Sequence, residues 1–226
     1  ARLADLCAAP GGKLALWRRL GGETTPLALD RHLGRLRLAG RLLERVGGAG
    51  LVVADATAPP LPAGSRDLVL VDAPCSGTGT LRRHPELKWR LRPEGIAELG
   101  ALQARILRAA FELAAPGGVI LYTTCSVEPE ENEELLAGPP AGFEVVELAS
   151  LLPPGVPVIP TAAGGVRILP GTDGDGFTMH AVKRIADSGE WHTRRPVRST
   201  TEARRHDEAH FGGGPLPEVR PGTDQP

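Results

Sequence analysis

Two short segments of the 226-residue chain each set a cysteine among small residues directly after an apolar run. They are Asp72-Ala73-Pro74-Cys75-Ser76-Gly77-Thr78-Gly79 and Thr123-Thr124-Cys125-Ser126. The thiolate, not the thiol, is the nucleophile, so a cysteine beside donors and an acid suits covalent catalysis. A third segment, Cys7-Ala8-Ala9-Pro10-Gly11-Gly12-Lys13, follows the first apolar run. Its glycines let backbone approach a ligand closely, and a helix opening there offers free amide donors. Asp30, 18 residues past Gly12, ends the second apolar run, where an acid suits the paired hydroxyls of a ribose. Asp55 ends the third and is placed to meet the exocyclic amine of an adenine. The dinucleotide pattern G-x-G-x-x-G is absent from the turn, which favours a nucleoside without a pyrophosphate. Taken alone, these residues also fit a plainer reading: a tight turn, helix-capping aspartates and inert buried cysteines, Cys7 foremost among them.

The elements that must position these residues are legible as an alternation. Strands are expected at residues 2–6, 27–30, 51–55, 67–72 and 119–123, with a final pair at 143–148 and 177–182. Helical periodicity marks 13–20, 32–46 and 94–115, and a short helix is expected at 128–136. Pro116-Gly117-Gly118 is read as the stop of the long helix, and the Pro- and Gly-rich stretch 153–171 as a loop. Strands alternating with helices imply an α/β fold with a doubly wound, mostly parallel, seven-stranded sheet. Ligands of such sheets bind beyond the carboxyl ends of the strands. Asp30, Asp55 and Asp72 fall at those ends and Cys125 follows another, so the chemistry-bearing residues converge.

Composition narrows the classes. Hydrophobic residues make up 41% and charged residues 23%, ordinary values for a globular domain. A net charge of -1 means that any nucleic-acid site has to be a local basic patch. Arg82-Arg83-His84-Pro85-Glu86-Leu87-Lys88-Trp89-Arg90 is such a stretch, with an aromatic for base stacking; it equally suits a solvated surface loop. Three cysteines argue against a disulfide framework and for a reducing cytoplasm. No apolar run is long enough to span a bilayer, and no signal peptide is visible. His206 and His210 are four apart in a polar region but lack companions, so no metal site is expected. Residues 187–226 read as a disordered polar tail. The chain opens at Ala1 almost on a strand, so a lead-in segment is expected upstream.

The motifs DLCAAPGGK, DAPCSGTG and TTCS, in that order, resemble the Sun/RsmB-type RNA cytosine-5 methyltransferases, and RRHPELKW resembles their bacterial ribosomal RNA branch. SVEPEEN and DGDGF fit the same pattern, and the resemblance covers roughly residues 3–184. It implies a Rossmann-like, class I methyltransferase domain over 1–186, without the N-terminal RNA-binding region of that family. It implies that Cys7, Ala8, Ala9, Pro10, Gly11, Gly12, Lys13, Asp30, Asp55 and Asp72 line an S-adenosylmethionine site. Cys125 matches the family nucleophile, Cys75 the second cysteine linked to product release, and Asp72 is placed to bond ring nitrogen 3 of the cytosine. The implied partner is RNA, held through Arg82, Arg83, Lys88 and Arg90, with a monomer as default. Transfer RNA as substrate, or a non-catalytic RNA-binding remnant, are the alternatives.

Overall fold

A computed structural model describes residues 1–171 and 174–185; the expected tail, with His206 and His210, lies outside the described residues. β1 (Leu3–Asp5), β2 (Leu27–Asp30), β3 (Gly50–Val53), β4 (Arg66–Asp72) and β5 (Ala114–Thr124) are linked by helices or loops and pair in parallel, in the order β3-β2-β1-β4-β5. The chain therefore builds outward from β1 in one direction and from β4 in the other. The point of reversal lies between β1 and β4, where a crevice opens beyond the strand ends. Both the glycine turn and the Cys75 loop leave the sheet there.

β1 and β2 show why the sheet is covered on both faces. Leu3 and Ala28 pack into a cluster with Leu14 of α1 (Gly12–Arg19) and Leu36, Ala39 and Leu43 of α2 (Leu33–Glu44). Their neighbours Ala4 and Leu29 point the other way, to Ile106, Leu107, Ala110 and Leu113 of α3 (Pro93–Leu113). Successive strand residues face opposite sides, so two helical layers need apolar residues at every position of a central strand.

The far half of the sheet is antiparallel. β9 (Phe177–Arg184) pairs with β5 along one edge. Its other edge is shared by β6 (Phe143–Val146) and β8 (Val166–Ile168), and β8 pairs with β7 (Ile159–Pro160). The β6–β9 pair is the expected final pair. The sheet has nine strands rather than seven, because the stretch expected to be a loop contains β7 and β8. These are two and three residues long, and Pro160 cannot donate to a ladder, so their composition looks like loop. The 128–136 segment is a 3₁₀ turn (Pro129–Glu131) followed by the one-turn helix α4 (Glu133–Leu136).

Helix α3 ends at Leu113 rather than at Pro116-Gly117-Gly118; Ala114 is already extended and pairs with Arg66. The prolyl-glycyl turn is a bulged entry into β5. At Gly118 a Cβ would lie 2.8 Å from the carbonyl oxygens of Ala115 and Arg66, so only glycine lets the strands close.

Two of the titratable groups buried inside this sheet change charge between about pH 4 and 7. His180 on β9 is wholly buried and shares a hydrogen bond with Thr161 Oγ1 at 2.8 Å, while its Nδ1 has no partner among the described residues. Burial pushes its imidazole down to about 4. Asp5 at the end of β1 is equally enclosed, and burial pushes its carboxyl up to about 7. The signs oppose. The folded chain releases the His180 proton more readily than the unfolded chain, so this contribution is lost as pH falls from about 6.5 towards 4. It holds the Asp5 proton more tightly, so that contribution is lost as pH rises from about 4 towards 7. Each amounts to roughly 3 to 4 kcal/mol, and they largely cancel. Asp5→Asn removes only the second. We expect the urea midpoint of that variant to fall steadily as pH is lowered from 6.5 to 4.5, with a much flatter parent profile. A flat variant profile would show that His180 is not the opposing group.

Candidate active site

The parallel pairing of β4 with β5 sets Asp72 opposite Thr123, so both strands end at one level. Their loops then run side by side and bring the cysteines into contact, with Cys75 Sγ and Cys125 Sγ 3.3 Å apart. Both thiols are half-buried. The loops are bound to each other: Gly79 N–H donates to the carbonyl of Cys125 at 2.9 Å, and the Thr78 and Ser126 hydroxyls share a bond at 3.2 Å. A third loop closes the layer, as Gly176 N–H donates to Gly79 O at 2.7 Å. A Cβ on Gly79 would stand 2.4 Å from Gly176 O, so the DGDGF and DAPCSGTG segments approach to a distance only glycine permits.

Asp72 is held from two sides. Its Oδ1 accepts the Thr123 hydroxyl at 3.0 Å, and its Oδ2 lies 2.5 Å from Lys13 Nζ. Lys13 is the second residue of α1, so the glycine turn delivers its ammonium to the β4 end, where it also lies 5.1 Å from the centre of the Phe177 ring. The turn is set by Asp5, whose Oδ1 accepts the Cys7 N–H at 3.1 Å, and by Gly11. Gly11 has φ +100, and a Cβ there would meet Ala39 of α2 at 3.2 Å. Gly12 is exposed, with open space where a Cβ would be. Asp30 is buried at the end of β2, with Oδ1 accepting the His32 N–H at 2.8 Å. Asp55, two residues past β3, is exposed and accepts from both N–H and Oγ1 of Thr57 at 2.8 Å.

The three thiols differ in character. Burial, then the carboxylates of Asp5, Asp30 and Asp72, push Cys7 up to about 12, so it is an inert wall residue. Within the contacting pair the proton stays on Cys75. Its hydrogen bond to Cys125, then burial, raise the Cys75 thiol. Accepting that bond is the main influence lowering Cys125 to about 7, against burial and the Asp72 charge. A thiolate at Cys125, held by a thiol donor, is a nucleophile available at neutral pH.

The basic stretch lies next to this layer but is not uniformly open. Arg82 is 3.9 Å from Asp175, and Arg83 forms an ion pair with the same carboxylate. Lys88, Trp89 and Arg90 are exposed, Trp89 at 82%. Sequence reasoning missed several contributors. Asp5 ends β1 as the other acids end their strands and was visible by that rule. Thr123, Glu131 and Asn132 carried no chemical signal of their own, since their roles come from contacts across the fold.

The doubly wound sheet, with its glycine turn and acids at the carboxyl ends, defines a Rossmann-like fold. A profile described as 16S rRNA methyltransferase RsmB/F matches residues 1–183, and the chain belongs to that family. Ribosomal RNA small subunit methyltransferase B of Erwinia tasmaniensis is 40% identical over 170 residues, covering 73% of this chain and 40% of the relative. The protein of that name from an Enterobacter species is 42% identical over 177 residues, covering 76% of this chain and 40% of the relative. The chain thus spans about two fifths of the length of these relatives. Among solved structures, NSun6 from Pyrococcus horikoshii with SFG superposes with a TM-score of 0.68 at 27% identity, over 82% of this chain and 48% of that one. No helix among the described residues is long and apolar enough to cross a membrane.

The thiol contact gives a direct test. Alkylation of Cys125 by iodoacetamide, mapped by mass spectrometry, is expected to rise with pH through a midpoint near 7. In Cys75→Ala the midpoint should move up towards the ordinary 9. An unchanged midpoint would mean that the Cys75 thiol does not hold the Cys125 charge.

Proposed function

We propose that this chain is the catalytic domain of an S-adenosylmethionine-dependent methyltransferase that makes 5-methylcytosine in small-subunit ribosomal RNA through a covalent adduct on Cys125. The observation that carries this reading is the 3.3 Å pair of unlike thiols at the ends of β4 and β5, beside Asp72, Lys13 and the glycine turn. Family membership and the likeness to a structure holding SFG, an S-adenosylmethionine analogue, support it.

The donor set suits the cofactor. Gly11 and Gly12 leave two successive positions of the turn from Cys7 to Lys13 without side chains. Asp30 is oriented by the His32 amide and offers carboxylate oxygen to ribose hydroxyls, and Asp55 offers it to the adenine amine. When bound, S-adenosylmethionine supplies an electrophilic methyl group.

Carbon 5 of cytosine is too weak a nucleophile to take that methyl unaided. The Cys125 thiolate adds to carbon 6, and the electron pair of the 5,6 double bond moves towards carbon 5 and ring nitrogen 3. Asp72 shares a proton with nitrogen 3, with the Lys13 ammonium at 2.5 Å as its source. Carbon 5 is then a nucleophile. After methylation its remaining proton must leave, the 5,6 double bond reform and the carbon–sulfur bond break, returning the electron pair to Cys125 and the nitrogen 3 proton to the Asp72–Lys13 pair. Cys75, having first lost its own proton to solvent, accepts the carbon 5 proton as the thiolate. Its thiol is raised while Cys125 is anionic; once Cys125 is a thioether that charge is gone, so Cys75 ionises more easily at the step that needs a base. The target base leaves its stack to reach the thiols. The exposed Lys88, Trp89 and Arg90 and the Asp175-tethered Arg82 and Arg83 form the basic surface against the RNA backbone.

Cys125→Ala should lower methyl transfer to 16S ribosomal RNA by at least about a thousandfold. Cys75→Ala should accumulate a protein–RNA adduct that survives denaturing electrophoresis. Normal turnover by the first variant would end the nucleophile assignment, and absence of an adduct with the second would end the release role of Cys75.

A further inference from the structure

Neither thiol reaches the other by its own loop alone. Glu131 and Asn132, successive and completely buried residues, lie behind the two cysteines. Glu131 Oε1 accepts the Ser76 N–H at 2.8 Å, and Oε2 accepts the Ser76 hydroxyl at 2.5 Å. Gln103 of α3, also buried, donates from Nε2 to Glu131 Oε1 at 3.0 Å and to the carbonyl of Pro74 at 2.8 Å. Two acceptors facing one amide nitrogen fix the orientation of Gln103. Cys75 is therefore gripped on both sides, at Pro74 through Gln103 and at Ser76 through Glu131.

Asn132 does the same for Cys125. Its Oδ1 accepts the Thr124 hydroxyl at 2.7 Å, and its Nδ2 donates to the carbonyls of Ser126 at 3.3 Å and Glu128 at 2.7 Å. Thr124 and Ser126 flank Cys125 as Pro74 and Ser76 flank Cys75. The Tyr122 hydroxyl donates to Glu131 O at 2.7 Å, tying the dipeptide back to β5.

We propose that Glu131 and Asn132 are positioning residues that set the two thiols against each other, Glu131 placing Cys75 and Asn132 placing Cys125. The two side chains leave one short turn and bond different cysteine loops, so a single dipeptide ties both loops together. This rests on the proposed roles of the two cysteines, and it predicts something a general stabilising role does not: the two variants fail at different steps. A residue needed only for folding would impair attack and release alike.

The test uses Glu131→Gln and Asn132→Asp in the full chain, each near its parent in volume. Glu131→Gln keeps one oxygen for the Ser76 N–H and Gln103 but sets an NH2 donor where the Ser76 hydroxyl now donates, which loosens the Cys75 loop. Asn132→Asp loses both donated bonds and sets a carboxylate against two carbonyls beside Cys125. A first readout needs neither RNA nor cofactor: the iodoacetamide rate of Cys75 in a Cys125→Ala background and of Cys125 in a Cys75→Ala background, where contact between the thiols no longer couples them, resolved by mass spectrometry at pH 7. Glu131→Gln should change the Cys75 rate at least about threefold and leave Cys125 within that range, and Asn132→Asp should do the reverse. Equal changes at both cysteines, or none, overturn the proposal. A second readout is adduct formation with transcribed 16S ribosomal RNA. Glu131→Gln should accumulate adduct as Cys75→Ala does, whereas Asn132→Asp combined with Cys75→Ala should form it at least about tenfold more slowly than Cys75→Ala alone. If Cys75→Ala accumulates adduct and Glu131→Gln does not, the positioning role of Glu131 is wrong. If Cys75→Ala itself forms none, the release reading fails, and the alkylation rates alone decide the positioning claim. Should either variant unfold, Ser76→Ala, which removes only the hydroxyl arm to Glu131, takes the place of Glu131→Gln, and Thr124→Val that of Asn132→Asp.

Discussion

The parallel register of β4 against β5 is the constraint on which the rest of this site depends. Asp72 faces Thr123 across the ladder, and the cysteines follow three and two residues later. A slip of one residue along this pair would move the loops by a full residue rise and turn each strand's side chains to the opposite face. The 3.3 Å sulfur contact would then be lost, together with the bond from Thr123 to Asp72 that depends on the same pairing. Register is strongly specified here because both faces of β4 are buried. Val69 and Val71 belong to the α3-side cluster, while Leu68 packs against the cluster formed with α1 and α2. The apolar core thus determines the chemistry indirectly, by fixing where two strands end.

Contact between the thiols has an electrostatic consequence. Two equivalent thiols at this distance share a problem familiar from paired carboxylates: both cannot ionise together. Their surroundings resolve which one does. Cys125 has the Lys13 charge near it and accepts the bond from Cys75, whereas Cys75 carries the heavier burden of burial and of the Glu131 charge. One fold therefore presents a charged and a neutral sulfur side by side. The proposed chemistry uses them in that order, and consuming the first charge changes the character of the second.

Much of this was legible in the sequence, for identifiable reasons. The central strands could be read because parallel strands buried on both faces are continuous apolar runs, and the acids Asp30 and Asp72 end theirs. The cysteine loops could be read because small residues around a thiol after such a run are uncommon. Three things were not legible. β7 and β8 are too short, and too rich in proline and glycine nearby, to show a period of two. The end of α3 was placed at Pro116, whereas pairing of Ala114 with Arg66 outweighs helix propensity two residues earlier. Pairing of Arg82 and Arg83 with Asp175 joins residues more than ninety apart, so counting charges along the basic stretch overstates how many are free.

The polar layer behind the cysteines is costly by any packing argument. Gln103, Glu131, Asn132, Ser126 and Thr124 are all buried, and Gln103 Oε1 has no hydrogen-bond partner among the described residues. Apolar side chains of similar volume would fill the same space without the desolvation penalty of about 1–3 kcal/mol that each unpaired buried group incurs. What an apolar layer does not offer is direction. Methyl groups tolerate sliding, whereas a carboxyl group that accepts a backbone N–H and a hydroxyl from the same residue admits one arrangement of that residue. The layer consequently exchanges some stability for angular definition at the one place where two loops must present sulfur atoms to each other. The same logic accounts for Gly79 and Gly176, whose backbones approach so closely that any side chain would part the loops. Stability in this half of the domain comes from the sheet and α3, and the residues between the sheet and the thiols serve chiefly to hold an angle.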